Sequence, residues 1–173
     1  MPVNVEIKSR VCDFARIKLL VESLARTSGK QIDQEDVFFV VPRGRLKLRI
    51  LSTTSAELIY YERENRAGPK ESRYVLSRTS EPELLRNVLS KSLGERGIVR
   101  KKRILYQIGQ TRIHLDEVEG LGSFAELEVV MSEGESQTKG VEIAHRLMSQ
   151  LEIKPSDLIE HAYIDLLAAS VSS

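Results

Sequence analysis

The chain has 173 residues, 41% hydrophobic and 29% charged, and its 26 Lys and Arg against 25 Asp and Glu leave a formal charge of +1. That length can bury one substantial core, and no low-complexity linker divides it, so a single domain over residues 1–173 is expected. The balanced totals exclude a protein driven by overall charge onto nucleic acid or an anionic membrane, and neither is an expected partner. No apolar run reaches the roughly 18 residues of a membrane-spanning helix, and the start, MPVNVEIKSR, is charged where a signal peptide is apolar. The expected location is the cytoplasm.

Residues 3–11 alternate Val5 and Ile7 with Asn4, Glu6, Lys8 and Arg10, the period of a first strand. Asp13 is placed to cap a helix whose apolar stripe is Phe14, Ile17, Leu20, Val21 and Leu24, ended by Ser28 and Gly29. Cys12, the only cysteine, rules out a disulfide within the chain and a thiolate metal cluster; it is read as a structural residue. Residues 36–41 and 45–51 form a hairpin about Pro42, Arg43 and Gly44. A strand at 57–64 is broken by Ala67, Gly68 and Pro69 and returns antiparallel at 73–76. Ser80 as cap and Pro82 in the first turn open a short helix carrying Leu84, Leu85, Val88 and Leu89.

The second half repeats the plan with strands at 98–106, 111–118 and 123–131, joined at Gly109 and at 120–122. A helix at 136–151 aligns Val141, Ala144, Met148 and Leu151, and Pro155 precedes a shorter helical segment before a tail near 163–167. The order is α+β, dominated by antiparallel hairpins. About eight strands with charge on the faces opposite the aliphatic ones suit a closed or nearly closed barrel with a polar lumen, its outer wall covered by helices.

Three stretches alternate charged and aliphatic residues most clearly: RLKLR at 45–49, RIHLD at 112–116 and FAELEV at 124–129. An ordinary half-exposed sheet scatters its signs, whereas here cations gather on one segment and carboxylates on another, which points to a polyanion and a divalent cation bound side by side. Lys47 and Arg49 project together from one strand, and Glu126 and Glu128 from another. The run Arg100, Lys101, Lys102, Arg103 divides between two strand faces and lacks the aromatic neighbours of a single-stranded nucleic-acid site.

These residues resemble a known family. The strand with Glu6 and Lys8, QEDVFF at 34–39, GRLKLR at 44–49, RIHLDEVEGLGSFAELE at 112–128 and the terminal AYIDLL at 162–167 are similar to the CYTH superfamily. That superfamily joins class IV adenylyl cyclases, thiamine triphosphatases and inorganic triphosphatases. The likeness covers essentially the whole chain and is strongest to the class IV adenylyl cyclase-like branch. It implies the triphosphate tunnel fold: an eight-stranded antiparallel β-barrel flanked by helices, in which basic residues hold a triphosphate and acidic residues hold Mg²⁺ or Mn²⁺.

The resemblance implies Glu6, Asp116, Glu126 and Glu128 as metal ligands, in keeping with the preference of Mg²⁺ for converging carboxylate oxygens. Lys8 fits the lysine that ends the family's first-strand motif, and Arg63, Arg103 and Arg112 stand where the family places further phosphate ligands. With Lys47 and Arg49 they form the expected substrate-binding set, and Lys70 and Arg73, beside a turn, are weaker candidates. Glu126, Glu128 and Lys8 are the expected catalytic residues. The family's first-strand Glu-x-Glu-x-Lys here reads Asn-x-Glu-x-Lys, so Asn4 keeps an oxygen and loses a charge, and Phe38 stands where a tyrosine is common. His114, on the lumen face, has an ordinary pKa suited to carrying a proton, although such a histidine is more often structural; His145 and His161 are read as structural.

The expected activity is a metal-dependent phosphohydrolase acting on inorganic triphosphate or an organic triphosphate such as thiamine triphosphate or ATP. The alternatives are a class IV-type cyclase converting ATP to cyclic AMP and pyrophosphate, and a non-catalytic binder of nucleotide or polyphosphate. A homodimer through the barrel's outer face is also open.

Overall fold

The computed structural model describes residues 1–171. Its strands are β1 (Val3–Arg10), β2 (Lys30–Phe39), β3 (Arg45–Ser52), β4 (Ser55–Arg63), β5 (Lys70–Thr79), β6 (Glu95–Ile108), β7 (Thr111–Val118) and β8 (Gly122–Val130). They close into a barrel in the order β1-β5-β4-β3-β2-β6-β7-β8, and every neighbouring pair is antiparallel. Four helices flank it: α1 (Phe14–Ala25), α2 (Pro82–Leu93), α3 (Gln137–Gln150) and α4 (Tyr163–Val171). Among the described residues no helix is long and apolar enough to cross a membrane.

Most of the apolar core lies outside the barrel wall, because the inner strand faces carry much of the charge. Val5 and Ile7 of β1, Ile113 and Leu115 of β7, and Leu127 and Val129 of β8 pack against Ile17 and Val21 of α1 and Ala144, Leu147 and Met148 of α3. Each such fully buried side chain contributes roughly 1.5–3 kcal/mol. Asp13 caps α1 by accepting from the Arg16 amide at 3.0 Å, and Ser136 caps α3 by accepting from the Lys139 amide. A second cluster sets Val37, Phe39, Leu48 and Ala56 under Leu85 and Leu89 of α2.

α4 closes one end of the barrel. Ala162, Tyr163 and Ile164 pack on Phe38, Val99, Val118 and Phe124, and Asp165 accepts from Arg45 of β3 and Arg96 of β6. Lys70 donates to the carbonyls of Arg66 and Glu160, tying the β4–β5 turn to the segment before α4.

Several elements differ from the sequence reading. β2 begins at Lys30, six residues before the expected start, β5 runs from Lys70 to Thr79, and β6 from Glu95 to Ile108. Pro155 opens only a single 3-10 turn, and the last helix is α4, where a tail was expected. Residue Glu81, not Ser80, occupies the cap position of α2, with no side-chain cap bond. Cys12 is exposed in the β1–α1 connection, so it is no part of the packed core.

Candidate functional site

Strand register builds the site in rows. On β1, β8 and β7, Glu6 faces Glu128 and Glu128 faces Arg112; in the next row Lys8 faces Glu126 and Glu126 faces His114. Further round the barrel Arg103 of β6 faces Asp116 of β7, and Asp36 of β2 faces Arg49 of β3. All of these side chains alternate inward, and all except Asp116 line one cavity of about 900 Å³; Asp116 lies beneath it. The cavity is stopped at one end by Tyr163 and α4.

The acids converge on the β1–β8–β7 wall. Glu126 Oε1 lies 3.1 Å from Lys8 Nζ, and its Oε2 is 3.3 Å from Arg103 Nη2 and 3.5 Å from His114 Nδ1. Glu128 pairs with Arg112 Nη2 at 3.0 Å and lies 3.8 Å from His114 Nδ1; Glu6 is 3.6 Å from Arg63 Nη1. Burial and the neighbouring Glu128 push the Glu6 carboxyl up to about 7. Burial works the same way on Glu126, but Lys8 and Arg103 outweigh it and hold that carboxyl well below its usual range. Burial and the Arg103 guanidinium lower His114, so its imidazole favours the neutral form.

Two aspartates hold a second group of cations. Asp36 accepts from both Arg49 Nε and Nη2 at 2.9 Å and from Lys47 Nζ at 3.0 Å. Asp116 accepts from Arg103 Nε and Nη2 at 2.7 Å and from the Tyr163 hydroxyl at 2.9 Å. Between them Lys101 Nζ lies 3.9 Å from a carboxylate oxygen of each aspartate. Burial lowers Lys47 to about 8, with Arg49 adding to the effect, and lowers Lys101 to about 7, with Arg103 adding to it. Among the described residues, buried side-chain atoms without a hydrogen-bond partner include Arg63 Nε and Nη2, Arg112 Nε, Asn4 Oδ1 and Gln34 Oε1 around the cavity, besides Ser9 Oγ and Thr111 Oγ1. A buried unpaired guanidinium N–H is a strong candidate to meet a ligand oxygen.

The structure therefore gathers Glu6, Lys8, Lys47, Arg49, Arg63, Arg103, Arg112, Glu126 and Glu128 around one cavity. Asp116 stands apart from the acid group: fully buried, it has Arg103 on both oxygens and Tyr163 on one. Lys70 is spent on two carbonyls, Arg73 is exposed on an ion pair with Glu71, and His145 and His161 are exposed away from the cavity. The signs are also more interleaved than the sequence pattern suggested, since Asp36 and Asp116 sit among the cations.

Sequence reasoning left Asp36, Lys101 and Tyr163 out of the site. Lys101 was within reach, two positions before Arg103 on one strand face. Asp36 required the hairpin register to be counted through to Arg49. Tyr163 carries no local signal, because its place under Lys8, whose Nζ is 3.6 Å from its ring centroid, depends on how α4 docks.

The donor set fits a hard divalent cation. Ligand atoms of His114, Glu126 and Glu128 lie within 4.8 Å of one another, and Glu6 faces Glu128 on the neighbouring strand. Apolar side chains are interspersed in the same wall: Ile32 faces Arg103 and Ile59 faces Lys47 across the strands, and Leu51, Leu76 and Leu105 also line the cavity, Leu51 and Leu76 being 36% and 39% exposed.

Comparison with known proteins agrees with this architecture. The family model of the CYTH domain matches residues 3–163. A Methanocaldococcus jannaschii protein named "putative adenylate cyclase" is 27% identical over 177 residues, covering 95% of this chain and 98% of its own. A solved Pyrococcus horikoshii structure, 26% identical, covers 94% of this chain and 98% of its own with a TM-score of 0.82. A Hippeastrum protein, 17% identical with a TM-score of 0.67 over 96% of each chain, is described as having a dominant triphosphatase activity.

Proposed function

The chain belongs to the CYTH domain family, and from that membership and the lining of its tunnel we propose that it is a divalent-metal-dependent phosphohydrolase acting on inorganic or organic triphosphates. The observation that carries the reading is one cavity lined by Lys47, Arg49, Lys101 and Arg103 beside Glu6, Glu126 and Glu128. A triphosphate needs several fixed cations, and its neutralising Mg²⁺ or Mn²⁺ needs carboxylates within reach of the same phosphates.

In this reading Arg49 and Arg103 hold phosphate oxygens with planar forks, while Lys8, Lys47, Arg63 and Arg112 place further charge along the chain of phosphates. Glu126, Glu128, Glu6 and the His114 ring would hold the divalent cation, which when bound supplies charge neutralisation on the phosphoryl oxygens. Glu126 and Glu128 orient the attacking water, and Lys8, beside Glu126, meets the charge that builds on the leaving oxygen. Asp116, first expected among the metal ligands, instead serves by holding Arg103.

Cyclisation of ATP is the second reading, favoured by the apolar side chains of the cavity wall, Ile32, Leu51, Ile59, Leu76 and Leu105, which offer surface for a base and ribose beside the phosphate site. A Hippeastrum protein of this fold with dominant triphosphatase activity supports placing hydrolysis first. The deciding assay supplies inorganic triphosphate, thiamine triphosphate and ATP with Mg²⁺ or Mn²⁺. Release of inorganic phosphate supports hydrolysis, pyrophosphate with cyclic AMP supports cyclisation, and binding without product leaves a non-catalytic binder. Glu126→Gln and Glu128→Gln are each expected to lower kcat at least about a hundredfold while triphosphate binding stays measurable. Unchanged turnover in both variants would remove the acid group from the chemistry.

A further inference from the structure

Asp36 places a carboxylate in the middle of the cations that a polyanion must meet, and none of the chemistry above uses it. It is 1% exposed. Both Arg49 donors reach it at 2.9 Å, Lys47 Nζ at 3.0 Å, and Lys101 Nζ stands 3.9 Å away. A negative charge there works against electrostatic capture of phosphate. What it supplies is geometry: two bonds fix the plane of the Arg49 fork, and a third fixes the ammonium of a side chain otherwise free about four bonds.

We propose that Asp36 is a positioning residue of the triphosphate site, which holds Lys47 and Arg49 at fixed spacing for the transfer step and weakens ground-state anion binding in doing so. The proposal rests on the triphosphate reading and adds to it a residue that touches no substrate. Coulomb attraction varies slowly with distance, so capture of a polyanion tolerates mobile cations. Transfer does not, because charge develops at particular oxygens and a displacement of about 1 Å is enough to slow it. Affinity and turnover should therefore move in opposite senses when the carboxylate charge is removed. Asp116 makes a similar two-point hold on Arg103, which shows the device twice on opposite sides of Lys101.

The test is Asp36→Asn, which keeps the shape and removes the charge, beside Asp36→Glu, which keeps the charge and displaces the carboxylate. Calorimetry with inorganic triphosphate in EDTA is expected to show Asp36→Asn binding about tenfold tighter. Its kcat on whichever triphosphate the wild type hydrolyses falls about tenfold or more. Asp36→Glu is expected to bind within about twofold of wild type and still lose kcat. A purely structural residue would give weaker binding in step with a lower Tm and an unchanged kcat per folded molecule; that result, or a normal kcat in Asp36→Glu, overturns the proposal. Should Asp36→Asn fail to fold, the kcat of Asp36→Glu decides. A wild type that binds triphosphate without turnover defeats the hydrolytic reading alone, and the sign of the Asp36→Asn affinity change then decides this one. A wild type that does not bind triphosphate overturns both.

Discussion

Glu6 carries the charge imbalance of the acid group. Its carboxyl, pushed up to about 7 by burial and Glu128, keeps a proton that the unfolded chain loses near its ordinary value of 4.5. A carboxyl with a raised folded-state pKa contributes full stability below the unfolded value, and that contribution disappears as pH rises from about 4.5 through about 7. Asp36 and Glu126 are lowered, so their contributions are already complete above about pH 5 and fade only as pH falls further. His114 and Lys101 are lowered bases and run against Glu6, so comparison with Glu6→Gln is needed to isolate it. In EDTA, the unfolding free energy of Glu6→Gln relative to wild type is expected to rise by about 2–3 kcal/mol between pH 4.5 and 7.5, measured by urea denaturation. A difference flat with pH would place the Glu6 carboxyl in water. At this scale the two-residue period made much of the site legible: Lys47 with Arg49, Glu126 with Glu128, and Glu6 with Lys8. Asp36 was not, because an acid between cations has meaning only once its cross-strand partner is known.

Among the elements, those with one apolar face were the legible ones. β7 and β8 turn Ile113, Leu115, Leu127 and Val129 outward onto helices, so their charged partners stand out as the inner face. β2 has no such contrast over its first half: Lys30, Gln34 and Asp36 alternate with Gln31, Asp33 and Glu35, so polar residues fall on both faces. α4 was missed because its apolar residues serve as a stopper for a barrel end, a role that has no periodic signature. α3 shows what local propensity leaves out. Gly140, inside that helix, lies so close to the wall that a Cβ there would stand 2.7 Å from Val5 Cγ2 and 2.6 Å from Met131 Sδ. Helix propensity alone gives Gly140→Ala a gain of about 1 kcal/mol. The strand-borne Val5 cannot give way as a free side chain can, so the substitution is expected to destabilise by about 1–2 kcal/mol through overpacking, with triphosphate affinity unchanged. Urea unfolding beside calorimetric binding checks both parts, and a gain in stability would mean that α3 is free to rise from the barrel.

For the whole molecule, the net charge of +1 conceals how the ions are distributed. The fold places most of its apolar packing outside the barrel and gathers charge within it, where Asp36, Asp116, Glu126, Glu128 and Glu6 each stand beside a cation. Composition could not disclose that, because a sum is blind to which face a residue takes; the strand period disclosed part of it. The consequence is a tunnel that is under-protonated when empty. Burial, aided by neighbouring arginines, holds Lys101 near 7 and Lys47 near 8, so at pH 8 Lys101 is mostly neutral and Lys47 about half so. A bound polyanion favours the charged form of both, and binding must therefore take up protons. ATP is a suitable probe because its terminal phosphate, with a pKa of about 6, is already ionised at pH 8 and contributes little of its own. In EDTA at pH 8, calorimetry in buffers of different ionisation enthalpy is expected to show uptake of about one proton per ATP. Lys101→Met should remove the larger share of that uptake. Proton release in the wild type would mean that the lysines of the empty tunnel are already charged, and the interior would then be far wetter than its burial implies.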